Sequence, residues 1–85
     1  MNIIDKVFAF GDQHLTPRPS DDEVLRFQVE IYEDAAAIIS ILSLLQEQGV
    51  YPDAETLREI AAEYEGFDDL TEYVDELLEE SMTVA

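Results

Sequence analysis

Carboxylates at helical spacing are the side chains of this sequence best suited to chemistry. Two triplets of glutamate repeat at intervals of four residues: Glu55, Glu59 and Glu63, and then Glu72, Glu76 and Glu80. Residues four apart lie on one face of an α-helix, so each triplet would form a row of like charges, which costs roughly 0.2–0.5 kcal/mol per pair before salt screening. Rows that oppose folding yet attract cations indicate a surface that binds a basic partner.

The acidic excess runs through the whole chain and is densest in its C-terminal part. The 85 residues include 21 Asp or Glu and 4 Lys or Arg, a net charge of −17. Between Asp53 and Glu80 there are twelve acids and one base, Arg58. Nucleic acid and anionic membranes would repel such a chain, so we expect a basic protein surface as the partner. The 47% of hydrophobic residues, in segments of helical spacing, predict a folded domain despite the charge.

We predict that the partner-binding residues are the acids near the C-terminus and two aromatic side chains among them. They are Glu55, Glu59, Glu63, Asp68, Asp69, Glu72, Asp75, Glu76, Glu79 and Glu80, with Phe67 and Tyr73. The carboxylates would steer association, and the aromatic rings would add specificity. The alternative is a solvated helix face with no binding role, but ordinary exposed helices mix the two signs of charge.

The sequence offers no conventional constellation for catalysis or metal binding. There is no cysteine, which excludes Cys-His nucleophile systems. His14, the one histidine, lies in a Gly/Pro-rich loop, where we expect an exposed, non-catalytic side chain rather than a member of a Ser-His-Asp triad. No glycine-rich phosphate loop occurs, and the surroundings of Gly66 lack the spacing of a calcium loop. Cation binding by Glu65, Asp68 and Asp69 would be weak and generic. We therefore expect a non-enzymatic protein with no cofactor and no metal site.

The elements that position the acids are predicted to be helices of a single domain, residues 1–85. Apolar residues on one face of the first ten predict a short helix with Gly11 as its stop, and the alternative is a strand at 7–10. The predicted elements are a helix at 1–10, a loop at 11–20, a long helix at 21–48, and helices at 53–65 and 68–81. The last two should form an antiparallel hairpin that packs against the long helix.

The segment 21–48 is the one whose pattern fits two structures. The run Ser20–Glu23 has the spacing of a capping box, no Gly or Pro follows inside the segment, and Gly49 is a suitable stop. These signals favour one long central helix in an all-α fold. Apolar and polar residues nevertheless alternate from Leu25 to Ile31, so the alternative is an α+β fold with a strand at 24–32.

Residues 35–45 are apolar nearly all round, which predicts burial on more than one side. The neighbouring helices would cover this segment, or else a symmetric homodimer would form through it. Eleven residues are too few to span a membrane.

The N-terminus has no basic region followed by a long apolar run, so we expect a cytoplasmic protein.

In small size, extreme acidity and lack of cysteine, the chain resembles the DNA-mimic inhibitors encoded by phages and mobile elements. An i to i+4 step advances about 6 Å along a helix, close to the phosphate spacing of a nucleic-acid strand. Such inhibitors act against restriction enzymes, CRISPR effectors, uracil-DNA glycosylase or nucleoid proteins. The resemblance implies that this chain occupies the DNA site of a nucleic-acid-binding host protein, in the host cytoplasm if a phage encodes it, and inhibits by competition.

This resemblance is one of functional class over the whole chain rather than of a family motif. Some uracil-DNA glycosylase inhibitors use a Glu-Ser-Ile element on an edge strand, to which Glu80-Ser81-Met82 is similar in its first two residues. The alternative function is an acidic adaptor or regulatory module that binds a basic protein surface without imitating nucleic acid.

Overall fold

The computed structural model describes residues 2–83, which contain five α-helices, one short 3-10 helix and no strand. The helices are α1 (Ile3–His14), α2 (Glu23–Glu30), α3 (Asp34–Glu47), α4 (Ala54–Glu63) and α5 (Asp68–Thr83), with the 3-10 helix at Pro19–Asp21. The all-α prediction is confirmed. The alternative of a strand at 24–32 is wrong, because that segment forms α2 and the turn that follows it.

Helix α3 is the centre of the hydrophobic core. The residues of α3 that are buried are Ala37, Ile38, Ile41, Leu42 and Leu45. Helices α1, α2 and α5 contact α3, and α4 packs mainly against α5 and α1. Every buried side chain of the core is apolar, so burial of hydrophobic area provides most of the driving force for this arrangement.

A left-handed residue separates α2 from α3. Tyr32 has φ 63°, and its N–H donates to Val29 O at 3.2 Å while the N–H of Glu33 donates to Gln28 O at 2.7 Å. These two bonds form the Schellman motif, which closes a helix and turns the chain away from its axis. The prediction of one continuous helix at 21–48 is therefore wrong, since the chain turns at residues 31–33 and begins a second helix.

A Schellman motif also ends α3, and its left-handed position is occupied by glycine, the residue most often found there. Gly49 has φ 70°, its N–H donates to Gln46 O at 2.9 Å, and the N–H of Val50 donates to Leu45 O at 3.0 Å. The predicted stop at Gly49 is confirmed. Glycine has no Cβ to oppose the left-handed conformation.

Gly11 does not stop α1, which continues to His14 and so extends beyond the predicted 1–10 helix. A Cβ at Gly11 would lie 2.8 Å from Pro19 Cγ and 3.1 Å from Ile41 Cγ2. The glycine serves close packing of α1 on α3 and on the 3-10 helix rather than a turn. The predicted loop at 11–20 is accordingly reduced to residues 15–18, where the Thr16–Pro17 peptide bond is cis.

Asp22, not Ser20, caps α2. The Asp22 carboxylate accepts hydrogen bonds from Val24 N at 2.9 Å and Leu25 N at 3.2 Å. Ser20 lies in the 3-10 helix, where its N–H donates to Asp12 Oδ1 at 2.9 Å and its hydroxyl donates to Asp12 Oδ2. The predicted capping box is therefore replaced by a contact between the 3-10 helix and α1.

The last two helices cover 54–63 and 68–83, where 53–65 and 68–81 were predicted. Asp53 caps α4 by accepting from Thr56 N at 3.0 Å, and α4 and α5 pack along each other.

The apolar segment 35–45 is covered largely by the chain itself, with Ser43 and Leu44 its exposed residues. A homodimer through it stays a prediction. No helix in residues 2–83 combines the length and apolarity needed to cross a membrane.

Candidate partner-binding surface

From Asp68 to Glu79, the outer face of α5 is entirely acidic. Its buried residues, Leu70, Val74 and Leu77, define the inner side of the helix. Helical geometry places six acids on the opposite side, and all six are exposed. We name these six residues the α5 face: Asp68, Asp69, Glu72, Asp75, Glu76 and Glu79.

The α5 face carries charge that the described part of the chain does not neutralise. None of its carboxylates takes part in an ion pair or a side-chain hydrogen bond within residues 2–83, and α5 itself contains no base. From Asp68 to Glu79 the six charges are on average roughly 3.3 Å apart along the helix axis. Measured along the duplex axis rather than along the backbone, the phosphates of one strand of B-DNA are about 3.4 Å apart. The mean axial charge density of this face is therefore close to that of one strand of B-DNA.

Two predicted site residues at the edge of α5 are held by α3. Gln46 Nε2 donates to Glu80 Oε2 at 2.6 Å, and the Tyr73 hydroxyl donates to Gln46 Oε1 at 2.6 Å. Burial raises the pKa of the Tyr73 phenol, with the charges of Glu80 and Glu76 acting in the same direction. Tyr73 and Glu80 therefore orient α5 on α3 and are less available to a partner than the α5 face.

The acidic row of α4 is interrupted by a base from α1. Lys6 Nζ lies 3.0 Å from both carboxylate oxygens of Glu59, the middle member of the row. Glu55 and Glu63 remain exposed, and Arg58 is exposed on the same helix. The structure therefore places the two predicted rows in different electrostatic settings: among residues 2–83, the row on α4 has an ion pair at Glu59 and the row on α5 has none.

Phe67 stands immediately before the α5 face with 56% of its surface exposed. Its ring packs edge-on against Tyr64, with the centroids 5.7 Å apart. Together with Asp68, Asp69 and Ala35 it borders a shallow cleft of about 360 Å³ between α3 and α5. An apolar side chain of a partner could enter this cleft while its neighbours contact the two carboxylates.

The structure also shows an exposed apolar surface that the sequence prediction missed. Val24 and Phe27 lie on α2 and Ile31 is its C-cap residue, so the three stand at i, i+3 and i+7, and they are 67%, 57% and 44% exposed. We name these three residues the α2 stripe. A signal for it existed, because an apolar residue at every second position of a helix must fall on two faces, of which the core can cover only one. Leu25 and Val29 take the covered face.

The Glu80-Ser81-Met82 triplet lies inside α5, where the Ser81 hydroxyl donates to Leu78 O at 3.0 Å. It is thus helical, unlike the edge-strand element to which it is similar.

Within residues 2–83, no three His, Cys, Asp or Glu side chains are grouped so that they could hold a metal ion. Comparisons of the chain with protein-family models, curated protein sequences and solved structures gave no match.

Proposed function

We propose that this protein is a non-enzymatic inhibitor that imitates DNA and occupies the nucleic-acid site of a basic host protein. The observation that carries the proposal is the α5 face, whose six uncompensated carboxylates match the axial charge spacing of one DNA strand. A groove built for phosphates would attract such a helix over its whole length. The nucleic-acid-binding proteins of host defence and DNA repair, uracil-DNA glycosylase among them, are the targets that the resemblance implies.

Beyond the first turn of α5, the charge pattern supports a binding role because it opposes folding. Glu72 and Glu76 are like charges at i, i+4, and so are Asp75 and Glu79. A sequence under selection for stability alone would place Lys or Arg at some of these positions. Binding to a basic groove would remove the repulsion.

Competition with DNA is the direct test. The partner is first isolated by pull-down from host lysate with the immobilised chain, and labelled duplex DNA is then bound to it. We expect the chain to displace the DNA and the apparent affinity to fall steeply with salt, because the contacts are ionic.

The variant that tests the α5 face is E72Q/E76Q/E79Q. We expect its affinity for the partner to fall by about tenfold or more at low salt, since three steering charges are lost. Its folding stability should rise, by about 0.2–0.5 kcal/mol for each like-charged pair removed. The matched control is D5N/E47Q/E65Q, which has the same net charge and changes three exposed acids outside the α5 face.

Equal loss of affinity in the two variants would show that only net charge matters and would remove the α5 face from the proposal. Independent, simultaneous binding of DNA and of this chain to the partner would reject competition. The function would then be that of an acidic adaptor, a second candidate that the exposed side chains of the α2 stripe favour.

A further inference from the structure

We propose that the α2 stripe, extended by Tyr32, is a second binding surface that docks a basic amphipathic helix of a partner protein. Single scattered apolar residues are normal on a protein surface, whereas the α2 stripe brings three of them together. Val24, Phe27 and Ile31 are neighbours on one helical face, and Tyr32 follows them with 92% of its surface exposed. The surface lies on α2 and shares no residue with the α5 face, so it goes beyond the proposed imitation of DNA.

The backbone conformation of Tyr32 indicates that this surface has a role besides folding. Tyr32 occupies the left-handed position of a Schellman motif, which Gly49 fills in the equivalent turn after α3. A side chain other than glycine is strained there, and strained residues persist where another requirement outweighs the strain. The exposed ring of Tyr32 adds nothing to the core, so folding does not explain a tyrosine at this position.

The charges around the stripe select the kind of partner. Glu23, Glu30 and Glu33 border it, and their carboxylates form no ion pair or side-chain hydrogen bond within residues 2–83. Arg26 is the single base between residues 19 and 57. A partner that complements this surface has an apolar centre with basic residues beside it.

A helix is the element that matches the shape of the stripe. Side chains at i, i+3 and i+7 form a ridge, and a partner helix with the same apolar spacing packs along such a ridge. A second copy of this chain would bring a further net charge of −17 and the same bordering acids into contact. Charge repulsion therefore disfavours self-association here and favours a basic helix.

A synthetic leucine–lysine peptide with leucines on one helical face is the probe, titrated into the isotope-labelled full-length chain and followed by NMR. We expect the largest shift changes in α2 and at Tyr32. A scrambled isomer of equal charge and a leucine–glutamate helix of equal pattern are the controls, and we expect neither to shift these residues.

Variants of the exposed residues test the contact without disturbing the core. F27S/I31S should weaken peptide binding by at least about tenfold, as expected for an aromatic anchor with its neighbour. The matched control L44S/M82S changes residues that are 44% and 65% exposed elsewhere, and it should leave the affinity unchanged. Circular dichroism confirms that both variants are folded.

Y32G separates binding from folding. Glycine relieves the backbone strain while the ring is lost, so the denaturation midpoint should rise as the peptide affinity falls. If Tyr32 instead served only to stabilise the fold, the denaturation midpoint of Y32G would fall.

Three results would overturn the docking site. The scrambled peptide could shift α2 equally, F27S/I31S could keep full affinity, or sedimentation could show a dimer of the chain that F27S/I31S dissociates. The last result would assign the stripe to self-association. E72Q/E76Q/E79Q should retain the shifts in α2, so failure of this proposal and failure of competition with DNA are separate outcomes.

Discussion

The phenol of Tyr64 connects α4 to the start of α3. Its hydroxyl donates to Asp34 Oδ2 at 3.4 Å. Burial, reinforced by the negative charge of Asp34, raises the pKa of Tyr64 from 10.0 to about 12. The folded state therefore keeps the proton through a pH range in which the unfolded chain releases it.

We predict that the folding stability of the wild-type chain falls as the pH rises from 10 to about 12. The neutral phenol contributes its full stability below the unfolded pKa, and that contribution is lost as the pH passes through the folded pKa. In Y64F this part of the pH dependence should be absent. Chemical denaturation at a series of alkaline pH values measures the free energy of unfolding of both proteins. The same dependence of this free energy on pH in the wild type and in Y64F would contradict the prediction.

Three residues show what residue type alone can reveal. Gly49 was correctly predicted to end a helix, because glycine favours the left-handed position. Tyr32 adopts the same conformation and was missed, since nothing in a tyrosine signals it. Gly11 was mistaken for a stop because its function, close approach to Pro19 and Ile41, depends on residues distant in the sequence.

At the scale of elements, the contact between Ser20 and Asp12 joins the 3-10 helix to α1. It replaces the capping box that pairs Ser20 with Glu23 in the sequence-based prediction. In the observed contact Ser20 should couple energetically to Asp12, whereas in the capping box it would couple to Glu23.

We predict a coupling energy of about 1 kcal/mol between S20A and D12A in a double-mutant cycle, because each variant removes the hydrogen bond from the Ser20 hydroxyl to Asp12 Oδ2. The cycle of S20A with E23A is the control and should give a coupling near zero. Urea denaturation of the single and double variants supplies both values. The reverse result would restore the capping box and contradict the observed contact.

The elements near the C-terminus were the more predictable part of the fold. Apolar spacing identified α4 and α5 to within about two residues, the usual uncertainty of helix ends. Exposure of the acids on α5 followed from the same spacing. The contacts of Glu59 with Lys6 and of Glu80 with Gln46 were not predictable, since each joins residues more than thirty positions apart. The α2 stripe was missed because its apolar residues were assigned to a strand or to a longer helix.

For the whole molecule, charge repulsion acts across its full width. The net charge is −17 and the radius of gyration is 12.0 Å. The Debye length is about 30 Å in 0.01 M salt and about 3 Å in 1 M salt. In dilute salt each carboxylate therefore interacts with all the others, whereas in concentrated salt only close neighbours interact.

We predict that the thermal midpoint rises as sodium chloride is increased over this range, because screening relieves repulsion that destabilises the compact state. Calorimetry at constant pH measures the midpoint. Sucrose is the control, since it stabilises by exclusion from the surface without screening charge. A midpoint that stays constant or falls with sodium chloride would show that self-repulsion does not limit the stability of this fold.

The unequal anchoring of α2 and α3 has a consequence for local opening. Five residues of α3 are buried, whereas α2 buries Leu25 alone. Helices with few buried contacts open at a lower free energy than the global transition, while a central helix opens only when the whole domain unfolds. The amide protons of α2 should therefore exchange with solvent well before those of α3. Fast exchange in α2 beside slow exchange in α3 would show that the helix carrying the α2 stripe opens locally while the central helix stays folded.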